Sequence, residues 1–491
     1  MLPIGLAYIV AAVKDLVEVE VIDPIAERVD CNNPTPYKRN TSILGLTPPE
    51  IVDAVKSKPD VCLISSMFSA EWPVTRDLIN LLKKKYPETI IIGGGEHFTA
   101  LPEYSLQNSE LDVCVLGEGE LTIRELIEEI QRTNKIPTHL EGTVVKMAGG
   151  SVRNPARKRI KNLEEIKLPA WEYFNVNRFL DVGVSNTANG IKGVRGMPLT
   201  ATRGCPYQCT FCSNPTMWGN LWRARPVADV AAEMELWVRT YQATHFDFAD
   251  LTAVVRKDWI VDFCNLMIEK KLNVTWGMPS GTRSEALDYE VLTLLQKSGC
   301  TDIDYAPENG SDYILKIMRK QINKDKMIES MKQCYKIGIN AKANIIFGYP
   351  EEKRRHVLET FIYIFRIAKA GMNDLLVSSV SVYPGSHLYE TFLKEGRIKL
   401  DEDYFLDLTS QGSLDVSECY SNFYSKHELY FFKVFGFAYF YMFSLILHPK
   451  RIWVLFKDIV IRRKGSTRLS MGIINIFTRT KNRFLNYGTA S

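Results

Sequence analysis

The sequence is poor in the features that mark several large classes of protein. Ten cysteines in 491 residues are too sparse for a disulfide scaffold. The net charge is only +4, so no global field favours nucleic acid as a partner. Hydrophobic residues at 46% and charged residues at 24% exclude a disordered or fibrous chain. A chain of this length predicts two or three domains rather than a single core.

The start of the sequence lacks the marks of a secretory signal. Met1 leads directly into LPIGLAYIVAAVKD, without a basic region or a small-residue cleavage site. We therefore expect a cytoplasmic protein, in which reducing conditions make clustered thiols metal ligands rather than disulfides.

Short apolar runs alternate with amphipathic stretches in two parts of the chain. In residues 1–135 this alternation predicts a doubly wound, Rossmann-like α/β domain. Its predicted strands are residues 17–23, 60–66, 89–95 and 111–119. Six predicted strands between residues 196 and 400 alternate with helices on a longer period, which indicates a partial (β/α)6 barrel of the TIM type. Residues 136–195 are a predicted connector with a hairpin that turns at Gly149-Gly150, and residues 401–491 are a predicted helical segment.

The most specific motif is RGCPYQCTFC, in which Cys205, Cys209 and Cys212 lie within eight residues. Three thiolates at this spacing, directly after a predicted strand, can hold a 4Fe–4S cluster and leave one iron open for a substrate. A structural zinc site would need a fourth ligand, and the remaining cysteines are isolated. These are Cys31, Cys62, Cys114, Cys264, Cys300, Cys334 and Cys419. The spacing therefore favours an iron–sulfur cluster over a zinc site or a chance group of thiols.

The pattern C-x3-C-x-aromatic-C, with Phe211 as the aromatic residue, resembles the signature of the radical S-adenosylmethionine (SAM) superfamily. The stretches RGCPYQCTFCSNPTMWG and LWRARP resemble its subgroup with an N-terminal cobalamin-binding domain, and the similarity extends over roughly residues 2–400. The resemblance implies that the three cysteines ligate the cluster and that its open iron binds SAM. It also implies cobalamin as a third cofactor. The implied reaction begins with a 5′-deoxyadenosyl radical that abstracts hydrogen from an unactivated C–H bond. Its expected outcome is methylation of that carbon.

The same resemblance implies SAM contacts at the strand ends of the barrel. Asp250 follows the second strand, near the methionine moiety, and Gly348 belongs to the fifth-strand motif that packs on the adenine. The residues implied to contact SAM are Phe211, Asp250, Arg283, Glu308, Gly348 and Tyr383. The alternative is that each polar side chain only caps a helix or closes a turn. A buried carboxylate needs a partner in either case.

Ligands of a doubly wound sheet bind at the carboxyl ends of its strands, and three such ends here carry small or polar residues. By resemblance this edge accepts the nucleotide tail and lower ring edge of cobalamin. The residues concerned are Ser65, Ser66, Gly93, Gly94, Gly95, Glu96, Gly117 and Glu118. No D-x-H-x-x-G motif occurs, so no imidazole is expected on cobalt, and His97 is interpreted as a hydrogen-bonding residue. The family also places a central strand before the equivalent of Leu2, so the resemblance implies a strand upstream of this sequence, on which cobalamin binding would depend.

Two other functions are compatible with the sequence. Anaerobic magnesium-protoporphyrin ester cyclases share the architecture, so oxidative ring closure of a tetrapyrrole is the alternative to methylation. A non-catalytic electron-transfer or cofactor-binding protein is the third interpretation. The expected partners are a small-molecule substrate, with a hydrophobic compound as one option, and a reductant such as flavodoxin or ferredoxin. The sequence does not identify the substrate.

The C-terminal segment combines an apolar helix with a basic tail. Residues 429–447 contain one charged residue, Lys433, and residues 450–491 contain ten lysines or arginines against one acid, Asp458. The helix could cross a bilayer, pack on the barrel, or lie at a membrane interface or facing the substrate. Lys433 and the many aromatic residues argue against a bilayer-crossing helix. A basic tail behind an aromatic helix suits an anionic lipid surface. Peripheral contact with the inner face of a membrane is therefore predicted, with a solvated charged face as the alternative for the tail.

Overall fold

A computed structural model describes residues 2–29, 31–37, 41–183, 185, 187, 193–282, 286–410, 412–462 and 465–487. Its helices are Ile4–Val13 (α1), Pro24–Glu27 (α2), Pro48–Ala54 (α3), Trp72–Lys85 (α4), Glu96–Ala100 (α5), Pro102–Gln107 (α6), Glu120–Thr133 (α7), Val176–Val182 (α8), Asn214–Trp218 (α9), Val227–Tyr241 (α10), Lys257–Lys270 (α11), Tyr289–Lys297 (α12), Asp312–Ile317 (α13), Lys324–Ile337 (α14), Arg354–Ala370 (α15), His387–Lys394 (α16), Glu402–Asp407 (α17), Lys426–Leu447 (α18), Lys450–Phe456 (α19) and Arg468–Tyr487 (α20). Its strands are Asn32–Pro34 (β1), Ser42–Leu44 (β2), Val61–Ser65 (β3), Ile90–Gly94 (β4), Val113–Val115 (β5), Thr143–Met147 (β6), Gly150–Arg153 (β7), Gly196–Leu199 (β8), Thr202–Arg203 (β9), Arg223–Ala224 (β10), His245–Phe248 (β11), Thr275–Thr282 (β12), Cys300–Glu308 (β13), Asn340–Phe347 (β14) and Asp374–Ser379 (β15).

The N-terminal domain is built on a five-stranded sheet in the order β3-β4-β5-β6-β7. Strands β3, β4 and β5 are parallel, and helices connect them, as the alternation predicted. The predicted hairpin is present as β6 and β7, which pair antiparallel with Met147 opposite Gly150. Because β6 also pairs antiparallel with β5, the hairpin extends this sheet and makes it mixed.

The strand predicted over residues 17–23 is wrong. The segment forms no ladder with any described strand. Val17 and Val19 are half-buried against the sheet and its helices, while Glu18 and Glu20 are exposed. Such alternation reports that one face of an extended segment is buried, and packing can satisfy it without a hydrogen-bonded neighbour.

The second sheet contains six parallel strands in the order β8-β11-β12-β13-β14-β15. This arrangement confirms the six predicted βα units. Residues of alternate register, such as Phe246, Tyr305 and Phe347, pack outward into the main core with the surrounding helices. The opposite register therefore lines the inside of the curved sheet.

The two sheets share hydrophobic cores. One cluster joins Trp72 and Phe98 of the N-terminal domain to Tyr349, Val382 and Leu388 of the barrel region. Residues of α1 are likewise part of the main core of the barrel. The carboxyl ends of the two sheets are consequently held in a fixed relation to each other.

Helix α18 packs against α15 and β15 along one side. Leu429, Gly436 and Phe440 on that side are buried. By length and composition α18 is the single helix in the described part of the chain that could cross a membrane. The structure thus places one face of this helix against the barrel, as one of the three interpretations proposed.

Candidate active site between the two sheets

The cysteine loop is closed at its base by a short antiparallel pair. Strands β9 and β10 pair through Arg203 opposite Arg223, and the loop between them carries all three cysteines. Gly204 begins the loop with φ +85°, and a Cβ there would lie 2.1 Å from the carbonyl oxygen of Leu221. A glycine is therefore required where the chain leaves β9.

The middle of the loop is anchored to the barrel through Thr210. Its N–H donates to the carbonyl of Met318 at 3.0 Å, and its carbonyl accepts from the N–H of Leu388 at 2.9 Å. Its hydroxyl is hydrogen-bonded to the hydroxyl of Tyr349, which follows β14. These bonds fix the backbone between Cys209 and Cys212.

The three cysteines fit a polynuclear centre better than a single ion. Each is partly exposed, and no three His, Cys, Asp or Glu side chains in the described ranges converge closely enough for one metal ion. The thiols are nevertheless close enough to act on one another. The pKa of Cys212 is raised to about 12, mainly by burial and in smaller part by the Cys209 thiol, the Glu96 carboxylate and the Cys205 thiol. Three thiols around one open loop are the donor set of a 4Fe–4S cluster with a free iron.

Asp250 supports the base of the cysteine loop. It is buried, and its carboxylate accepts hydrogen bonds from the backbone N–H groups of Ala201, at 3.2 Å, and Thr202. Burial raises its pKa to about 6. A contact between Asp250 and SAM stays a prediction, whereas its hold on the backbone before Cys205 is a feature of the structure.

Glu308 ends β13 in a left-handed backbone conformation, with φ +64°. Its carboxylate accepts a hydrogen bond from Lys320 Nζ at 2.8 Å, and both side chains are largely buried. A non-glycine residue in this region is uncommon, and such outliers cluster at ligand sites. Glu308 therefore remains a candidate SAM ligand at the carboxyl edge of the barrel.

The other predicted SAM ligands occupy the same edge in different surroundings. The N–H of Gly348 donates to Glu352 at 2.7 Å and to the Tyr424 hydroxyl at 2.8 Å, so it has no free donor for adenine. Phe211 and Tyr383 are half-buried in one apolar cluster. Burial raises the pKa of Tyr383 to about 12, with a further contribution from the Glu96 carboxylate. Arg283 lies outside the described residues.

The glycine-rich edge of the N-terminal sheet has one open position. Nothing lies within 4 Å of the point that a Cβ of Gly94 would occupy, so a ligand can approach its backbone. Gly93 packs against the Phe98 ring, and Gly95, at φ +103°, is pressed against the carbonyl of Ser66. Ser66 is buried, whereas Ser65 is exposed at the end of β3. A backbone cradle beside an exposed polar residue fits a bulky ligand such as cobalamin.

Glu118 joins this edge to the cysteine loop. Its carboxylate pairs with Arg203 at 3.2 Å and Arg223 at 3.0 Å, and all three side chains are buried. Arg203 also pairs with Glu120 at 2.6 Å. The neighbouring Gly117, at φ +70°, is covered by Arg159. The carboxylate of Glu118 thus holds the two domains together, and contacts of Glu118 and Gly117 with cobalamin stay predictions.

A second bond brings the glycine-rich edge directly to the cysteines. The Ser213 hydroxyl, next to Cys212, donates to the carboxylate of Glu96, which follows the three glycines. Burial raises the pKa of Glu96. His97 beside it is buried, with Nδ1 3.0 Å from the Ser69 hydroxyl and Nε2 3.2 Å from that of Ser105. Both ring nitrogens are therefore engaged, as predicted for a hydrogen-bonding residue, and burial lowers the pKa of His97 to about 3.

Sequence reasoning missed several residues of this region. Arg203 and Arg223 belong to the motifs RGCPYQCTFC and LWRARP, but their pairing could not be predicted, because their partner Glu118 lies in another domain. Met67 and Phe68 follow β3 next to the glycines, and their side chains are 42% and 56% exposed. Large apolar side chains exposed beside an open backbone cradle indicate a surface that a ligand covers. Their signal in the sequence, an apolar pair directly after a strand end, is weak.

The barrel interior adds polar acceptors below the strand ends. Asp304 lies opposite Lys342 in the β13–β14 ladder, and Asn344 is two residues further along β14 on the same face. One side-chain oxygen of Asp304 and one of Asn344 have no hydrogen-bond partner among the described residues. Burial raises the pKa of Asp304 to about 6, against the effect of Lys342. The interior can therefore accept hydrogen bonds from a ligand.

Comparison with known families agrees with this geometry. The radical SAM superfamily matches residues 199–364, which include the cysteine loop and four complete strands of the six-stranded barrel sheet, β11 to β14. The B12-binding domain matches residues 1–127, which include the glycine-rich edge. The chain is a cobalamin-dependent radical SAM enzyme. It belongs to the radical SAM superfamily with an N-terminal B12-binding domain, and its cofactors are a 4Fe–4S cluster, SAM and cobalamin.

Curated relatives include methyltransferases and cyclases. The chain is 27% identical over 391 residues to an uncharacterized methyltransferase of Pyrococcus horikoshii, covering 79% of this chain and 78% of the relative. It is 25% identical over 444 residues to cytidylyl-2-hydroxyethylphosphonate methyltransferase of Streptomyces wedmorensis, covering 84% and 82%. It is 24% identical over 312 residues to anaerobic magnesium-protoporphyrin IX monomethyl ester cyclase of Rubrivivax gelatinosus, covering 62% and 54%.

Solved structures show the same fold. The cobalamin-dependent SAM radical enzyme OxsB, with aqua-cobalamin and SAM bound, superposes with a TM-score of 0.69 at 15% identity, covering 98% of this chain and 69% of that one. The radical SAM methyltransferase TsrM of Kitasatospora setae, with cobalamin and a 4Fe–4S cluster bound, has a TM-score of 0.62 at 16% identity, covering 80% and 75%.

Proposed function

We propose that the protein methylates an unactivated carbon of a small molecule. The observation that carries this proposal is the bond between Ser213 and Glu96. It joins the residue after the third cysteine to the residue after the three glycines. The strand edge that would accept cobalamin and the loop that would hold the cluster are therefore side by side, so that a carbon activated at one could receive a methyl group from the other.

The protein's own residues hold the parts of this site in place. When bound, the cluster and SAM supply the radical that removes hydrogen, and cobalamin supplies the methyl group. Cys205, Cys209 and Cys212 would hold the cluster, and an electron donor such as flavodoxin or ferredoxin would reduce it. Asp250 and Thr210 fix the loop that carries the cysteines. Such fixed supports keep reacting groups in register and keep water out.

The named relatives support methylation without deciding it. The two methyltransferases cover about four fifths of this chain, and the cyclases cover about three fifths. Oxidative ring closure is therefore kept as the second candidate function. The two reactions differ in one measurable respect, because only methylation adds a carbon to the product.

A labelling experiment tests the proposal. Cells that express the full chain would be grown anaerobically on methionine with a deuterated methyl group, and their extracts compared by mass spectrometry with those of a Cys209→Ala strain. We expect a compound that carries the labelled methyl group only when Cys209 is intact. Cys264→Ala is the matched control, because Cys264 is buried on α11 and bonded to Ser298.

Three outcomes separate the alternatives. A product that loses hydrogen without gaining label would favour cyclisation. A labelled product that persists in the Cys209→Ala strain would contradict a role for the cluster in the reaction. Formation of 5′-deoxyadenosine by purified, reconstituted protein, measured separately, tests the radical step without knowledge of the substrate.

A further inference from the structure

The outward face of α18 is an uninterrupted apolar stripe. Phe431, Phe435, Ala438, Met442 and Ile446 recur at intervals of three and four residues, and all are exposed. The exposed fraction is 57% for Phe431 and 65% for Ile446. This spacing places them along one side of the helix, opposite the side that packs on the barrel.

The only charge within this part of the helix is turned away from the stripe. Lys433 is buried, and its ammonium donates to the Ser417 hydroxyl at 3.2 Å. Burial lowers the pKa of Lys433. The helix therefore uses its inner side for polar contacts with the protein and leaves only apolar atoms along the stripe.

The apolar surface continues beyond α18 on both sides. Helix α15 runs beside it, with the Phe361 ring 5.1 Å from Phe435, and exposes Leu358 and Ile362. Helix α19 follows α18 after two residues. In α19 and the six residues that follow it, the exposed large apolar side chains are Ile452, Trp453, Val454, Phe456, Val460 and Ile461. Together these residues of α15, α18, α19 and the π-helical residues 457–462 define what we call the apolar face. Monomeric proteins rarely expose a contiguous surface of this kind without a partner.

The charges at the α19 end of the apolar face are basic. Lys450 is exposed, and Lys457 lies 5.3 Å from the Trp453 ring centroid. The one acid, Asp458, is buried and accepts a hydrogen bond from the backbone N–H of Ser466. Cations that flank an exposed tryptophan are suited to the headgroup layer of a membrane.

We propose that the apolar face seats the protein on the surface of a membrane that contains anionic lipids. Apolar side chains would enter the boundary of the acyl chains, and Lys450 and Lys457 would meet lipid phosphates. The helix lies on the membrane rather than crossing it, because its inner side, including Lys433, is occupied by the barrel. A second copy that met the apolar face with its own apolar face would bring further cations to this basic end, whereas anionic lipid offers the complementary charge. The proposal does not depend on the reaction that the enzyme catalyses.

Co-sedimentation of the full-length protein with vesicles tests the proposal. The vesicles contain phosphatidylcholine alone or a mixture with phosphatidylglycerol, at low and at high salt. We expect binding to the mixed vesicles that weakens as salt rises, because screening shortens the range of the basic end's attraction. A Phe435→Glu/Met442→Glu variant should lower the partition coefficient about tenfold or more, since two charges would enter the apolar boundary. Tyr289→Glu is the matched control, because Tyr289 is 59% exposed on α12, outside the apolar face.

A second pair of variants tests the charge requirement. Lys450→Glu/Lys457→Glu should weaken binding to mixed vesicles but not to phosphatidylcholine, while Lys394→Glu, exposed on α16, should bind as the unmodified protein does. Circular dichroism and iron content report whether each variant is folded.

Three results would overturn the proposal. Equal binding of the Phe435→Glu/Met442→Glu variant and the unmodified protein would show that the apolar face does not contact the membrane. Equal amounts of protein sedimenting with both vesicle types at all salt concentrations would show that anionic lipid does not contribute to binding. A dimer in size-exclusion chromatography that this double variant abolishes, without vesicle binding by the unmodified protein, would assign the apolar face to a second copy of the chain.

Discussion

The buried contact between Glu118, Arg203 and Arg223 makes a quantitative prediction. Glu118→Gln keeps the size of the side chain and removes its charge. The two guanidinium groups then share one neutral amide, whose NH2 group cannot accept a hydrogen bond from either of them. Arg203 retains Glu120 at 2.6 Å. Arg223 loses its only carboxylate partner within the described residues, and its Nε and second terminal nitrogen already lack a hydrogen-bond partner there.

The expected cost follows from the burial of the three side chains, which are 3% to 6% exposed. Removing one partner of a buried ion pair costs about 3–5 kcal/mol, because the remaining charge is left without compensation. Since Arg203 keeps a second carboxylate, we expect the lower end, about 3 kcal/mol. The carbonyl of Ile160, which also accepts from Arg223, is unchanged by the substitution.

Anaerobic urea unfolding, followed by circular dichroism, measures this loss. Glu88→Gln is the control, because Glu88 pairs with Lys58 at the surface with 80% of its side chain exposed. Exposed pairs contribute little to stability, so this variant should unfold like the unmodified protein. If the two variants differ by less than about 1 kcal/mol, the contact does not stabilise the domain junction as a buried ion pair should.

Three further predictions concern the same region. Gly204→Ala should sharply lower the iron content of reconstituted protein, because the added Cβ would clash with the Leu221 carbonyl. Gly219→Ala is the control: this glycine also has a positive φ but faces open space, so the variant should retain its iron. Equal iron content in the two variants would contradict the prediction. Burial raises the pKa of Asp250 from 3.8 to about 6, so the native state binds its proton more tightly, and this residue's share of the unfolding free energy should fall as pH rises from about 4 to about 6. Unfolding titrations of Asp250→Asn should lack that slope, and an unchanged slope would refute the assignment. Electron paramagnetic resonance of the cob(II)alamin form should show no nitrogen coupling from His97, because both of its ring nitrogens are engaged; such a coupling would contradict the structure.

Much of the fold follows from local patterns in the sequence. The six barrel strands are recovered because each is an apolar run between amphipathic helices. The failure over residues 17–23 has a different origin. Alternation there reports correctly which side chains are buried, but it carries no information about whether another strand lies beside the segment.

The same distinction between local and tertiary information applies to the site residues. Cys205, Cys209 and Cys212 could be identified because all the donors belong to one short motif. The carboxylates Glu118 and Asp250 were located correctly at strand ends, yet their partners come from segments 85 and 49 residues away. Such pairings depend on tertiary packing, which spacing along the chain does not encode. In the folded chain the Asp250 carboxylate holds the backbone of a distant segment, which is neither the helix cap nor the turn that the sequence offered as the alternative to a ligand contact.

The shared core of Trp72, Phe98 and Tyr349 has a consequence for how the enzyme can be dissected. Neither the N-terminal domain nor the barrel would keep its apolar surface covered if it were produced alone. An exchange of domains between related enzymes should therefore include the residues of this contact on both domains. The same continuity argues against a catalytic cycle in which the cobalamin module swings away to be recharged. If the protein methylates its substrate as proposed, the two sheet edges would stay side by side throughout, and the order of events would be set by the exchange of small molecules rather than by movement of domains.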